Sequence, residues 1–143
     1  MTLKMRDCFG NEQEVIPQLE LYSTKDFMGK SMPGLDVQLY AKQGNKIVSH
    51  ADLTVNFGEF IGMKNAAYIN TTNCPYADDL LKTGIAIDSG LSKETVFCRY
   101  PLWVFSENFL REIGKDTYEE YAGAYDLYMS EKTGTTECEE DNT

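Results

Sequence analysis

The chain reads as an α+β domain, an antiparallel sheet of five or six strands packed on one face by two or three helices. Three observations predict it. Apolar and polar residues alternate through 14–22, 35–42 and 47–57, the period of strands with one buried face. Breaks rich in glycine, proline and asparagine separate those runs. In the last third the period lengthens: Tyr118, Tyr121, Ala122, Tyr125, Tyr128 and Met129 fall on one helical stripe. With 143 residues and 42% hydrophobic content, the chain has the length and composition of one domain with a real core. Residues 1–130 are expected to form that domain, and 131–143 an acidic, unstructured tail.

The elements follow in order. Residues 3–9 and 14–23 read as two extended segments around a Gly10-Asn11 turn, with Pro17 marking an edge or a bulge. Residues 25–34, with two glycines and a proline, read as a loop. The clearest hairpin pairs Leu35–Lys42 with the run from Ile47 to Phe57 through a Gln43–Lys46 turn. A strand over Ala67–Asn70 meets a corner of Asn70, Thr71, Thr72 and Asn73. Pro75 then opens a helix of about two and a half turns, because its missing N–H has no partner to lose there. Asp78 and Asp79 suit its first turn and Gly84 ends it. Residues 95–105 are the most apolar segment and predict a central strand through Tyr100, broken at Pro101. Ser106 is a good N-cap for a helix that Gly114 stops, and Thr117 with Glu120 has the spacing of a capping box for the last helix.

Charge is the bulk property that stands out. Acids outnumber bases 23 to 13, a net charge of −10. Five of those acids and one lysine lie from Glu131 onward, so the body is acidic in its own right. Such a surface is repelled by nucleic acid and by anionic membranes. It suits a protein partner whose own surface is built to hold nucleic acid. Glu112, Asp116, Glu119 and Glu120 are the candidate partner-binding residues. In one continuous helix Glu112, Asp116 and Glu120 would stand about 6 Å apart along one side, a spacing able to imitate a phosphate backbone. Gly114 and the interleaved Arg111 and Lys115 work against that row.

Catalytic chemistry has little to stand on. His50, the one histidine, lies in the second strand of the main hairpin and reads as an ordinary strand residue. Cys74, just before a helix, is the better-placed nucleophile, since a helix N-terminus stabilises a thiolate. A zinc site would have to gather Cys8, Cys74, Cys98 and His50 with no local pair to seed it. Asp78, Asp79 and Asp88 are the carboxylates a divalent cation would use, although the helix dipole accounts for the first two. No metal or cofactor is expected, and the sequence holds no GxGxxG, P-loop or HExxH. The N-terminal run lacks an apolar core, no segment approaches the ~18 apolar residues of a membrane span, and the cysteines form no CxxC pair. A cytoplasmic setting with reduced thiols is expected.

The runs Leu53-Thr54-Val55-Asn56-Phe57, AAYINTTNCPYADDLL at 66–81 and CRYPLWVF at 98–105 resemble, in pattern and order, a family of small bacterial domains of unknown function. Those domains travel on conjugative elements and prophages of gut anaerobes. The resemblance implies a fold and a genetic setting and carries over no site. Some accessory proteins of such elements inhibit host defence, including anti-CRISPR proteins that disable Cas9. The expectation is therefore a non-enzymatic inhibitor that binds Cas9 and blocks DNA binding or cleavage. The alternatives are a DNA mimic directed at a restriction enzyme, or another accessory protein of a mobile element, and a cysteine-dependent hydrolase using Cys74 and His50.

Overall fold

In the computed structural model the backbone is described for residues 1–141 and side chains through Glu131; the expectation of an unstructured tail at 131–143 falls almost wholly outside the residues whose side chains are described. The strands are β1 (Leu3–Arg6), β2 (Glu12–Lys25), β3 (Ser31–Gln43), β4 (Lys46–Asp52), β5 (Thr54–Val55), β6 (Ala66–Ile69), β7 (Ala86–Glu94) and β8 (Arg99–Phe105). The helices are α1 (Asp78–Leu81), α2 (Glu107–Gly114) and α3 (Asp116–Asp141).

The α+β class stands, but the single sheet of five or six strands is corrected. Among the described residues the strands form two four-stranded antiparallel sheets, ordered β1-β2-β3-β4 and β5-β6-β8-β7. The cause lies in the run 47–57, whose alternation reads as one strand. His50 is an extra residue in β4: Leu39 pairs with Ala51 and Tyr40 with Ser49. Such a bulge bends and twists a strand. Two residues later the chain leaves the first sheet. The Leu53 N–H donates to the Val37 carbonyl at 3.0 Å, while its own carbonyl accepts from the Asn70 N–H at 2.8 Å. Thr54 Oγ1 accepts from the Val37 N–H at 3.0 Å. Leu53, wholly buried, is thus the residue at which the chain passes from one sheet to the other.

Two further boundaries differ from expectation. Residues 31–34 are strand rather than loop, with Gly34 opposite Tyr22. A Cβ at Gly34 would lie 2.3 Å from the Tyr22 ring, so the glycine is there to let the ring lie across the strand. Residues 95–98 are a turn, closed by Thr95 N–H to Cys98 O at 2.8 Å, and β8 runs through Pro101. Pro101 lies just beyond the stretch paired with β6 and opposite Ser92, where the β7 ladder resumes after the irregularity that follows Asp88. Pro17 is similar: β1 pairs only with Glu12–Val15, which leaves β2 an open edge beyond it.

The helices follow local chemistry. Ser106 caps α2 by accepting the Phe109 N–H at 3.4 Å. Lys115, at φ +49, separates α2 from α3. Since α3 starts at Asp116, Thr117 lies inside its first turn rather than at its cap. α1 is one turn, shorter than expected; successive i→i+3 bonds such as Ala77 N–H to Cys74 O tighten the chain around it. α2 and α3 pack against β2 and β3. Leu19, Leu35, Val37 and Leu39 from the first sheet meet Ala67, Ile69, Trp103 and Phe105 from the second, with Phe109, Leu110, Tyr118, Tyr121 and Tyr125 of the helices. Each large side chain so buried contributes about 1.5–3 kcal/mol. The tyrosine stripe is core, and Tyr118 and Tyr121 also clamp Asn65, which holds a left-handed φ of +66.

Candidate functional site

The corner after β6 is built for joining. Asn70 accepts the Cys74 N–H on its carbonyl at 2.9 Å and the Asn73 N–H on its side chain at 3.2 Å. Thr71 donates to the Arg99 carbonyl at 3.0 Å. The Thr72 hydroxyl lies 3.5 Å from the Cys98 thiol, so Asn70, Thr71 and Thr72 each tie the corner together. Cys74 is buried, its thiol 3.7 Å from the Asp52 carbonyl, and burial pushes it up to about 11, which disfavours the thiolate. His50 is half-buried in the bulge, and no hydrogen bond links it to Cys74 among the described residues. Cys8 is exposed. Cys98 is partly exposed, its thiol held below the usual range first by the Thr72 hydroxyl and then by Tyr100 and Thr95.

Asp79 is committed elsewhere. Arg6 grips it with Nε to Oδ2 at 2.9 Å, Nη2 to Oδ1 at 2.8 Å and its backbone N–H at 3.1 Å, and stacks on Tyr76 at 4.2 Å. These bonds hold the Asp79 carboxyl down at about 2. Among the described residues no group of three or more His, Cys, Asp or Glu is placed to hold a metal ion.

The four predicted partner-binding acids are all exposed. Glu112 lies on α2, and Asp116, Glu119 and Glu120 on α3. The turn at Lys115 divides them, so the evenly spaced row that a continuous helix would give is split. Arg111 pairs with Glu119 and, at 3.6 Å, with Glu107. Glu112, Asp116 and Glu120 make no ion pair among the described residues. A second acidic group escaped sequence reasoning. Register sets Glu20 opposite Asp36 and Gln38 opposite Asp52 on the outer face of the first sheet, and the Gln38 amide donates to both Glu20 and Asp36 at 3.2 Å. Burial, with Asp52 and Glu20 nearby, raises the Asp36 carboxyl.

The second sheet turns a different outer face to solvent. Register places Ile87 beside Val104, Tyr68 beside Leu102 and Lys93 beside Tyr100. Phe57 meets Tyr68 edge-on at 5.5 Å and Tyr100 at 5.3 Å. Lys93 lies 4.7 Å above the Phe57 ring and 2.7 Å from Glu59. A groove of about 310 Å³ crosses this face, lined by Phe60, Ile61, Met63, Tyr68, Leu91 and Leu102 with Glu59 among them. It adjoins, through Phe60, a larger cleft of about 570 Å³ under Phe27 and Met129. There Tyr128 donates to Asp26 at 2.9 Å and fastens the β2–β3 turn to α3. Beyond the groove the β7–β8 turn projects Val96 and Phe97, 90% and 93% exposed.

Among the described residues no helix is long and apolar enough to cross a membrane. No protein-family description matches the chain, and neither the curated proteins nor the solved structures give a match.

Proposed function

We propose that the protein is a non-enzymatic inhibitor that sets its acidic exterior against the basic, nucleic-acid-holding surface of a host defence nuclease. Cas9 is the partner that the genetic setting of such domains suggests, and the consequence is loss of DNA binding or cleavage. The observation that carries this reading is the exposed set Glu112, Asp116 and Glu120, without an ion pair among the described residues, on a chain of net charge −10. A basic channel that accepts such carboxylates releases the counterions it would release to DNA, so binding should weaken as salt rises. The outer-face acids Glu20, Asp36 and Asp52 extend the same sign of charge to the first sheet. The geometry of Cys74 lends the hydrolase alternative no support.

The test mixes the protein with Cas9, guide RNA and a DNA target. Inhibition that falls with salt and is lost on charge reversal at Glu112, Asp116, Glu119 and Glu120 is expected. Undiminished cleavage at large molar excess would overturn the Cas9 reading. Inhibition of a restriction enzyme in the same format would move the assignment to the DNA-mimic alternative.

A further inference from the structure

We propose that the outer face of the second sheet is the docking surface for a second copy of this chain, in a two-fold arrangement that seats the Val96–Phe97 tip of each copy in the groove of the other. The proposal is independent of the inhibitor reading and rests on three observations.

The first is self-complementarity. One hairpin, β7–β8, carries both a knob and part of a hole: Val96 and Phe97 project almost wholly into solvent, while Leu91 and Leu102 line the groove with Tyr68 and Met63. Leu91 and Val96 are five residues apart, roughly 15 Å along a strand. A two-fold axis midway between tip and groove brings each tip onto the partner's groove, the reciprocal contact that closes a dimer.

The second is charge. Two copies of a chain at −10 repel one another through most of their surface, and least where charges already cancel. The hairpin sets Asp88 and Glu94 against Lys93 and Arg99, and with Glu59, which binds Lys93, the surface stays within one charge of neutral. A basic partner would be drawn to the acidic helices instead.

The third is chemistry. Ile87 and Leu91, 67% and 56% exposed, flank half-buried Tyr68, Tyr100 and Val104. Together they are the open, aromatic-rich surface that interface cores prefer.

The experiment is sedimentation equilibrium of the full chain across a wide concentration range. The wild type should fit a monomer–dimer equilibrium that tightens with added salt, because screening relieves repulsion between the acidic bodies. Phe97→Asp and Leu91→Asp should each weaken dimerisation at least about tenfold, or about 1.4 kcal/mol. Phe9→Asp, at an equally exposed aromatic on the β1–β2 turn, should leave it unchanged. Val96→Asp serves if either hairpin variant loses its native circular dichroism. A wild type that stays monomeric up to millimolar concentration overturns the proposal. So does a dimer indifferent to the hairpin variants, or one dissolved by Phe9→Asp. Salt separates this contact from the acidic docking proposed above, since the two respond in opposite directions.

Discussion

On the first sheet, Glu14, Gln18, Glu20, Asp36, Gln38 and Asp52 face water while Val15, Leu19, Val37 and Leu39 face the core. On the second, Trp103, Phe105, Ala67 and Ile69 face the core, and the opposite side offers Ile87, Leu91, Tyr68, Tyr100 and Val104. Both sheets are antiparallel and four strands wide. Yet the first is mostly polar outside, with Ile16 and Tyr40 as an apolar pair, and the second is mostly apolar, with Lys93 as its charge. The charge of the chain is uneven: β1–β4 carry five acids and five bases and the β7–β8 hairpin two of each, so the net negative charge gathers in the helices.

The contrast can be broken at its hinge. Leu53→Ala removes the buried side chain at the handover between sheets and should cost about 3 kcal/mol, read as a lower denaturant midpoint. Gly34→Ala acts on the first sheet alone. Its Cβ would collide with the Tyr22 ring, and the overpacking should cost about 2 kcal/mol in the same titration. Asp79→Asn cuts the solvent-screened grip of Arg6 on α1 and should cost about 1 kcal/mol or less. Its pH dependence has a defined sign. Asp79 is held below its ordinary value of 3.8, at about 2. The stability it adds is complete above 3.8 and is lost as pH falls toward 2. The variant should lack that part of the acid transition. Asp36 has the opposite sign, since burial raises it. The folded state is disfavoured by its charge above the raised pKa, and relief grows as pH falls through that value and is complete below 3.8. Asp36→Asn should stabilise the protein at neutral pH by a few tenths of a kcal/mol, visible as a small rise in Tm.

Where one face was polar, the sequence was legible. The alternation in 14–22 and 35–42 located β2 and β3, because a half-wet strand writes its period into the chain. β8 has no polar face to write with. Its apolar run merged a turn with a strand and put the break at Pro101, three residues after the real turn ends. The single-sheet expectation failed for a different reason: a bulge adds one residue without disturbing composition, so nothing at Ser49-His50-Ala51 signals that the strand is about to leave its sheet. The candidate acids Glu112, Asp116, Glu119 and Glu120 were readable as exposed helix residues, and Gly114 signalled their division. The Glu20, Asp36 and Asp52 group was not readable, because three strands had to be aligned before those carboxylates became neighbours.

The handover at Leu53 also equips the molecule with its own pair of reporters. The one histidine sits in the bulge just before it, on the first sheet, and the one tryptophan lies fully buried in the second. Imidazole proton resonances follow one sheet and indole fluorescence the other, with no labelling. If Leu53 binds the sheets into one cooperative unit, the two signals change at the same denaturant concentration. Uncoupled sheets would give each spectroscopy its own midpoint.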